Sequence, residues 1–214
     1  MTYYIENIFI CLAIPLILSL LFRGGKDRKF TFFVIVGMGM CLLSAYVNSF
    51  FAGYYRADTV AAIREITPVC EEVMKFLPLL IYLAVFETRN QEIVPAALGI
   101  AVGFATFENV CFLAENGAAN FSLLLIRGIS AGALHILCGI ALGYSIAHVF
   151  RRSWIMLTGA IGSLGACVVF HGIYNVLITA DGKWKLVGYL FPSILILLLF
   201  LVKNMKFTEK FTIE

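Results

Sequence analysis

Seven groups that ordinarily seek water, Glu71, Glu72, Lys75, Glu108, Arg127, His135 and His171, sit inside stretches that otherwise read as membrane-spanning helices. Five of them carry a formal charge. An ionised side chain at the centre of a bilayer helix costs about 2.5 to 3.5 kcal/mol, so five would cost roughly 15 kcal/mol unless they meet one another or line a wet cavity. The chain is therefore constrained to a bundle that brings these residues together, and the place where they meet is the candidate site.

The solvent follows from composition. Of 214 residues, 61% are hydrophobic and 14% charged, and the mean hydropathy is +0.94. An ordinary soluble domain carries about 25% charged residues, so the fold class is all-α, a polytopic membrane helical bundle. The apolar runs are Ile5 to Phe22, Phe30 to Tyr54, Thr67 to Phe86, Ile93 to Ala114, Phe121 to Phe150, Trp154 to Ala180 and Lys185 to Val202. Each is close to or above the roughly 17 residues a bilayer requires, which predicts about seven transmembrane helices in one domain over residues 1–214. The first run lacks a basic start and a small-residue cleavage site, and is expected to be a retained helix. Tyr55 to Ile66 has apolar residues at helical spacing between charges and reads as a short interfacial amphipathic helix. Six cysteines, one to a span and with no Cys-x-x-Cys pair, exclude a disulfide frame or zinc ribbon and read as small apolar fillers. No basic stripe offers a footing for nucleic acid.

Lysines and arginines set the expected orientation. Alternate loops hold Arg23, Lys26, Arg28, Lys29, Arg89, Arg151, Arg152, Lys203, Lys206 and Lys210, against Arg56, Arg64, Lys183 and Lys185 on the other side. The richer side is predicted to be cytoplasmic, with the N-terminus outside and the C-terminus inside. At about 1.5 Å per helical residue, Glu71 then lies roughly 6 Å into the third span from its outer end, Glu108 about 9 Å into the fourth and His171 about 13 Å into the sixth. His135 is deeper, some 21 Å from Phe121, in a run longer than the bilayer core is thick.

Helical spacing sorts these groups. Glu71 and Glu72 precede Lys75 by four and three residues, so the cation can neutralise one carboxylate and leave the other available. The plainer alternative is that Thr67 and Pro68 open the helix and the acids of its early turns complement the macrodipole, which leaves Lys75 without a reason. Phe104 and Glu108 share a face, with Asn109 beside the acid; a lone glutamate near a span end can also snorkel to the interface. Ala131, His135, Gly139 and Gly143 form a four-residue ladder that lets neighbouring helices approach, so His135 should face protein, either in the site or bonded to a backbone carbonyl. Arg127 reads as a counter-ion or substrate anchor. His171 and Asn175 lie one turn apart on one face, where an amide donor suits a developing oxyanion, or where the pair clasps a neighbouring helix.

The order Glu71-Glu72-x-x-Lys75, Phe104-x-x-x-Glu108-Asn109, Arg127 with His135 downstream, and His171-x-x-Tyr174-Asn175 resembles the PrsW family of intramembrane proteases over roughly residues 68–180. That family is distantly similar to the type II CAAX prenyl endopeptidases, from which this chain departs at Lys75 and Glu108. The resemblance implies a bacterial plasma-membrane enzyme that cleaves single-pass membrane proteins, such as anti-sigma factors, near the extracytoplasmic face.

Two chemistries are open at this point. In one, Glu71 is the general base for an attacking water, Glu72 and Lys75 set its field, and His171 and Asn175 orient the water or oxyanion, with Glu108 and His135 completing the pocket. In the other, Glu108, His135 and His171 hold a divalent metal such as zinc, as two imidazoles and a carboxylate with an open fourth position. Asn109 and Arg127 are supporting residues in both. Other protease classes fit less well: there is no His-Glu-x-x-His, the aspartates fall in loops, and Gly128-Ile-Ser130 only faintly resembles a rhomboid nucleophile. The rival from another class is a proton- or ion-coupled transporter using the same polar cluster, although no internal repeat supports it.

Overall fold

The computed structural model describes residues 5–20, 24–86, 88–116, 121–149 and 153–211. All its regular elements are helical: α1 (Ile5–Ser19), α2 (Gly25–Tyr55), α3 (Thr59–Ala61), a π turn (Ala62–Ile66), α4 (Thr67–Val85), α5 (Asn90–Asn116), α6 (Phe121–Tyr144), a second π turn (Ser145–Val149), α7 (Ser153–Ile178) and α8 (Lys183–Phe211). The first π turn joins α3 to α4 without a break, and the second extends α6, so the described residues form seven continuous helical segments. Phe22, Phe150, Arg23, Arg151 and Arg152 lie outside the described residues, as do the side chains of Lys203, Lys206 and Lys210.

Five segments are long and apolar enough to cross a membrane: α2, α5, α6 with its π turn, α7 and α8. The two shortfalls have separate causes. α1 is 15 residues long. α4 has 19 residues but carries Glu71, Glu72 and Lys75 within one bilayer's length, so the charges expected in the site are what lower its hydropathy.

The expected interfacial helix between Tyr55 and Ile66 is replaced by a tighter arrangement. α2 ends where Arg56 takes a left-handed conformation (φ 53°) and Ala57 N–H reaches back to the Ala52 carbonyl at 3.0 Å, a Schellman closure. Asp58 then caps a new helix, its Oδ1 accepting from Ala61 N at 2.8 Å. This helix runs through the π turn into α4, so Thr67 and Pro68 do not open it. Glu71 lies twelve residues beyond Thr59, about 18 Å along the axis, too far for an interaction with the N-terminal dipole.

α5 sits at the centre because its small residues let helices approach on two sides. Towards α2, a Cβ on Gly103 would overlap the Val34 carbonyl, and one on Gly37 of α2 would overlap the Ile100 carbonyl. Towards α6, a Cβ on Gly139 would stand 2.6 Å from the Ala101 methyl. The Ala131–Gly143 ladder thus does face a neighbouring helix, and it brings His135 in with it. Around these contacts Leu79, Ile100 and Leu134 are almost wholly buried in the main core. A second cluster of Met38, Cys41, Phe104 and Phe107 packs under Phe9 and Leu12 of α1. α8 lies against α6 and α7, with a long exposed row of leucines and isoleucines on its other side.

Gly103→Ala should lower stability by about 1 to 3 kcal/mol, because neither backbone can yield without unpacking the other. Gly132→Ala, whose added methyl meets nothing within 4 Å, should not. Denaturant titration of the purified proteins in detergent compares the two, and equal effects would refute the close α2–α5 contact.

Candidate active site

The first acidic pair owes its position to Pro68. Proline has no N–H to return to the carbonyl four residues back, and its ring crowds that turn. The helix accommodates it with the π turn, in which Thr67 N–H bonds Ala62 O, one residue further back than an α-helix would use. The carbonyl of Ile63 is thereby released, and Asn175 Nδ2 of α7 donates to it at 2.8 Å. Arg64, in the same turn, donates from Nε to Thr179 Oγ1 at 2.7 Å and from Nη2 to the Thr179 carbonyl at 3.2 Å. The start of α4 is thus tied to the end of α7, which holds Glu71 and Glu72 against His171.

Four helices then meet in one polar cluster. Glu72 Oε1 accepts from Lys75 Nζ at 2.6 Å and lies 2.8 Å from His171 Nδ1. Lys75 Nζ also lies 2.7 Å from His135 Nδ1 and 5.1 Å above the centre of the Phe104 ring. On the far side of His135, Nε2 is 2.5 Å from Glu108 Oε2, and Glu108 Oε1 is 2.5 Å from Arg127 Nη2. Arg127 Nη1 donates to Asn109 Oδ1, and Asn109 Nδ2 donates to the Gly128 carbonyl at 3.3 Å. Glu72, Lys75, His135 and His171 are all at most 6% exposed.

Donor chemistry assigns the protons. A protonated lysine can only donate, so His135 Nδ1 accepts and neutral His135 carries its proton on Nε2, facing Glu108. An ionised carboxylate can only accept, so His171 carries its proton on Nδ1, facing Glu72, and turns the lone pair of Nε2 inward. Glu71 Oε2 is buried without a hydrogen-bond partner, 3.8 Å from His135 Nε2 and 3.9 Å from His171 Nε2. With both imidazoles neutral, three carboxylates face two fixed cations and leave one net negative charge in a poorly solvated space. That favours a cation or a proton at the orphaned oxygen.

Glu71, His135 and His171 bring one ligand atom each within 4.8 Å of one another, a set that could hold a metal ion. The carboxylate between the two imidazoles is Glu71. Glu108, placed in that set by the sequence reading, is instead engaged by His135 and Arg127. Asn175 is buried beside the cluster, but its amide donates to Ile63 O and not into the space an oxyanion would occupy. Ser130 Oγ, wholly buried, is 3.0 Å from Tyr174 OH and 3.1 Å from the Arg127 carbonyl, which gives it a structural setting, not that of a nucleophile.

A cleft of about 490 Å³ reaches the cluster from one side. Glu71, Glu108 and Arg127 line it together with Ser44 and Asn48 of α2 and Glu115 of α5. Sequence reading missed this α2 edge and the Arg64–Thr179 clasp. Pro68 was the available signal for the clasp, since a proline inside a continuous helix requires a displaced register and a freed carbonyl.

A match to the PrsW family of intramembrane metalloproteases runs over residues 27–203, from the first turn of α2 into the second half of α8. No curated protein and no solved structure matches the chain. The matched span contains every residue of the polar cluster, and the chain belongs to the PrsW family of intramembrane metalloproteases, multi-pass membrane enzymes that hydrolyse peptide bonds.

Proposed function

We propose that this chain, acting as a single protease domain over residues 1–214, hydrolyses a peptide bond in a single-pass membrane protein near the extracytoplasmic face of a bacterial plasma membrane. An anti-sigma factor is the kind of substrate the family resemblance suggests. The excess of lysine and arginine on alternate loops supports the orientation, with the N-terminus outside. The observation that carries the reading is the buried, partnerless Glu71 Oε2 facing the two imidazole Nε2 atoms.

That donor set fits a divalent metal such as zinc: one carboxylate and two imidazoles, with His171 oriented through Nδ1 by Glu72 in the manner of metal-bound histidines. Glu71, His135 and His171 would hold the ion. When bound, such an ion supplies Lewis acidity, lowering the pKa of a coordinated water and polarising the substrate carbonyl. His135 would offer Nε2 once the proton there is released to the cleft and Lys75 gives a proton to Nδ1 across 2.7 Å, so that Glu108, 2.5 Å from Nε2, stays a carboxylate. Glu108 is then the carboxylate placed to take a proton from the attacking water and return it to the departing amine, while Arg127 and Asn109 hold it in position. The cleft lined by Ser44, Asn48 and Glu71 is the route this reading assigns to the substrate segment.

A second reading has support of its own from Lys75. As long as its ammonium donates to His135 Nδ1, Nε2 keeps its proton and is no ligand. Glu71 Oε2 and His171 Nε2, both acceptors and 3.9 Å apart, can then grip one water by its two hydrogens, with Glu71 as the general base.

Cleavage of a single-pass reporter in liposomes, combined with metal analysis of each purified variant, separates the two. The first reading expects about one bound ion per chain, lost in Glu71→Gln and His171→Ala. Glu108→Gln should retain the ion while cleavage falls roughly a hundredfold to ten-thousandfold. Undiminished cleavage by both Glu71→Gln and His171→Ala would refute both readings. Chelation should abolish cleavage and added metal restore it; chelator-resistant activity that is lost in Glu71→Gln selects the metal-free reading.

Ser130→Ala should keep most of its activity, because it removes one hydrogen bond to Tyr174 and leaves the acids and imidazoles in place. The same assay checks it, and complete inactivity would point to Ser130 as the nucleophile.

A further inference from the structure

We propose that the groove between α2 and α4, at the end of the bundle bearing Arg28 and Lys29, is a binding site for an anionic phospholipid. The groove encloses about 760 Å³. Its floor is apolar, built from Phe32, Phe33 and Val36 of α2 with Pro78 and Ile81 of α4, and its mouth carries Arg28, Lys29, Tyr82 and Glu92. Arg28 and Val36 are eight residues apart on one helix, so the groove runs about 12 Å from its charged mouth to its apolar floor. That polarity is the polarity of a lipid, with a headgroup at one end and an acyl chain at the other.

Charge decides which headgroup. Among the described residues lining the groove Glu92 is the one carboxylate, and it is already engaged: Lys29 Nζ lies 2.9 Å from Oε1, and Tyr82 OH donates to Oε2 at 3.1 Å. The Lys29 side chain is 57% exposed, and its ammonium has further N–H groups to direct outward. A second cavity of about 370 Å³ shares Lys29, Tyr82 and Glu92 and adds Lys26 and Arg89. Arg28 and Lys29 at the mouth, with Lys26 and Arg89 in the adjoining cavity, therefore outnumber the one acid, which Lys29 already pairs, and this excess suits a phosphodiester without a compensating ammonium. The floor is too apolar for a small soluble anion, and the mouth too cationic for a neutral chain. The Lys29–Glu92–Tyr82 contacts join α2, α4 and α5, so a bound headgroup would brace three helices, including the one that carries Glu71, Glu72 and Lys75.

The full chain, delipidated in detergent, is titrated with phosphatidylglycerol, phosphatidylcholine of the same acyl chains, and glycerol phosphate, with retention read by native mass spectrometry. Phosphatidylglycerol should be retained in preference to the other two. Arg28→Gln and Lys26→Gln should each weaken it roughly fivefold, the fold-change equivalent to about 1 kcal/mol per basic residue at an anionic surface. Val36→Trp, which fills the floor, should weaken retention without lowering the thermal midpoint of the lipid-free protein, and Arg56→Gln, at the far end of α2, should leave retention unchanged. Equal retention of phosphatidylcholine would overturn the proposal in favour of ordinary solvation by lipid. Glycerol phosphate binding as tightly as the lipid would overturn it in favour of a free-anion site, and equal weakening by Arg56→Gln would overturn it in favour of net charge alone.

Discussion

The ammonium of Lys75 stands 2.6 Å from Glu72 and 2.7 Å from His135, in a space water barely reaches. Everything else in the cluster is arranged relative to it. It neutralises the carboxylate that orients His171, fixes the tautomer of His135, and joins α4 to α6. Taking a charge out of water costs several kcal/mol even after relaxation, and removing one member of a buried pair leaves the other uncompensated at a cost of about 3 to 5 kcal/mol. The polar groups are therefore interdependent. Glu72 is tolerable because Lys75 and His171 engage it, His135 because Lys75 and Glu108 do, and Glu108 depends in the same way on Arg127.

Such short contacts between groups on different helices require the backbones to be close, and small residues make that possible. Gly37 and Gly103 bring α2 onto α5, and Gly139 brings α6 onto the alanine face of α5. With ordinary side chains at these positions the helices would stand farther apart, and Glu108 would not reach His135. Phe104, wholly buried, closes the floor beneath Lys75 and His135, so the ammonium faces an aromatic ring and not solvent. Apolar packing thereby excludes water from the cluster while the cleft beside α2 leaves Glu71 and Glu108 reachable.

Much of this was legible in the sequence because helical periodicity is local. The spacing of Glu71, Glu72 and Lys75 predicted that the cation would neutralise one acid of the pair, and Lys75 is seen on Glu72. The small-residue ladder of α6 predicted a protein-facing His135. What could not be read depends on rotations between helices. Whether Glu71 or Glu108 lies between the imidazoles turns on the angle at which α4 and α5 face α6, which no spacing within one helix encodes. The partner of Asn175 was hidden for another reason: the Ile63 carbonyl is available only because Pro68 shifts the hydrogen-bond register in the π turn through which Thr59 to Ile66 runs on into the helix carrying Glu71.

The composition of α4 bears on how the protein is made. Three charged residues among nineteen leave this segment with little tendency to leave the translocation channel for lipid by itself. Beyond the Glu72–Lys75 pair within it, the partners of these charges, Phe104, His135 and His171, sit on α5, α6 and α7, all synthesised later. During biogenesis α4 would wait at the channel or the interface until those helices emerge, so insertion of this segment and assembly of the polar cluster become one event.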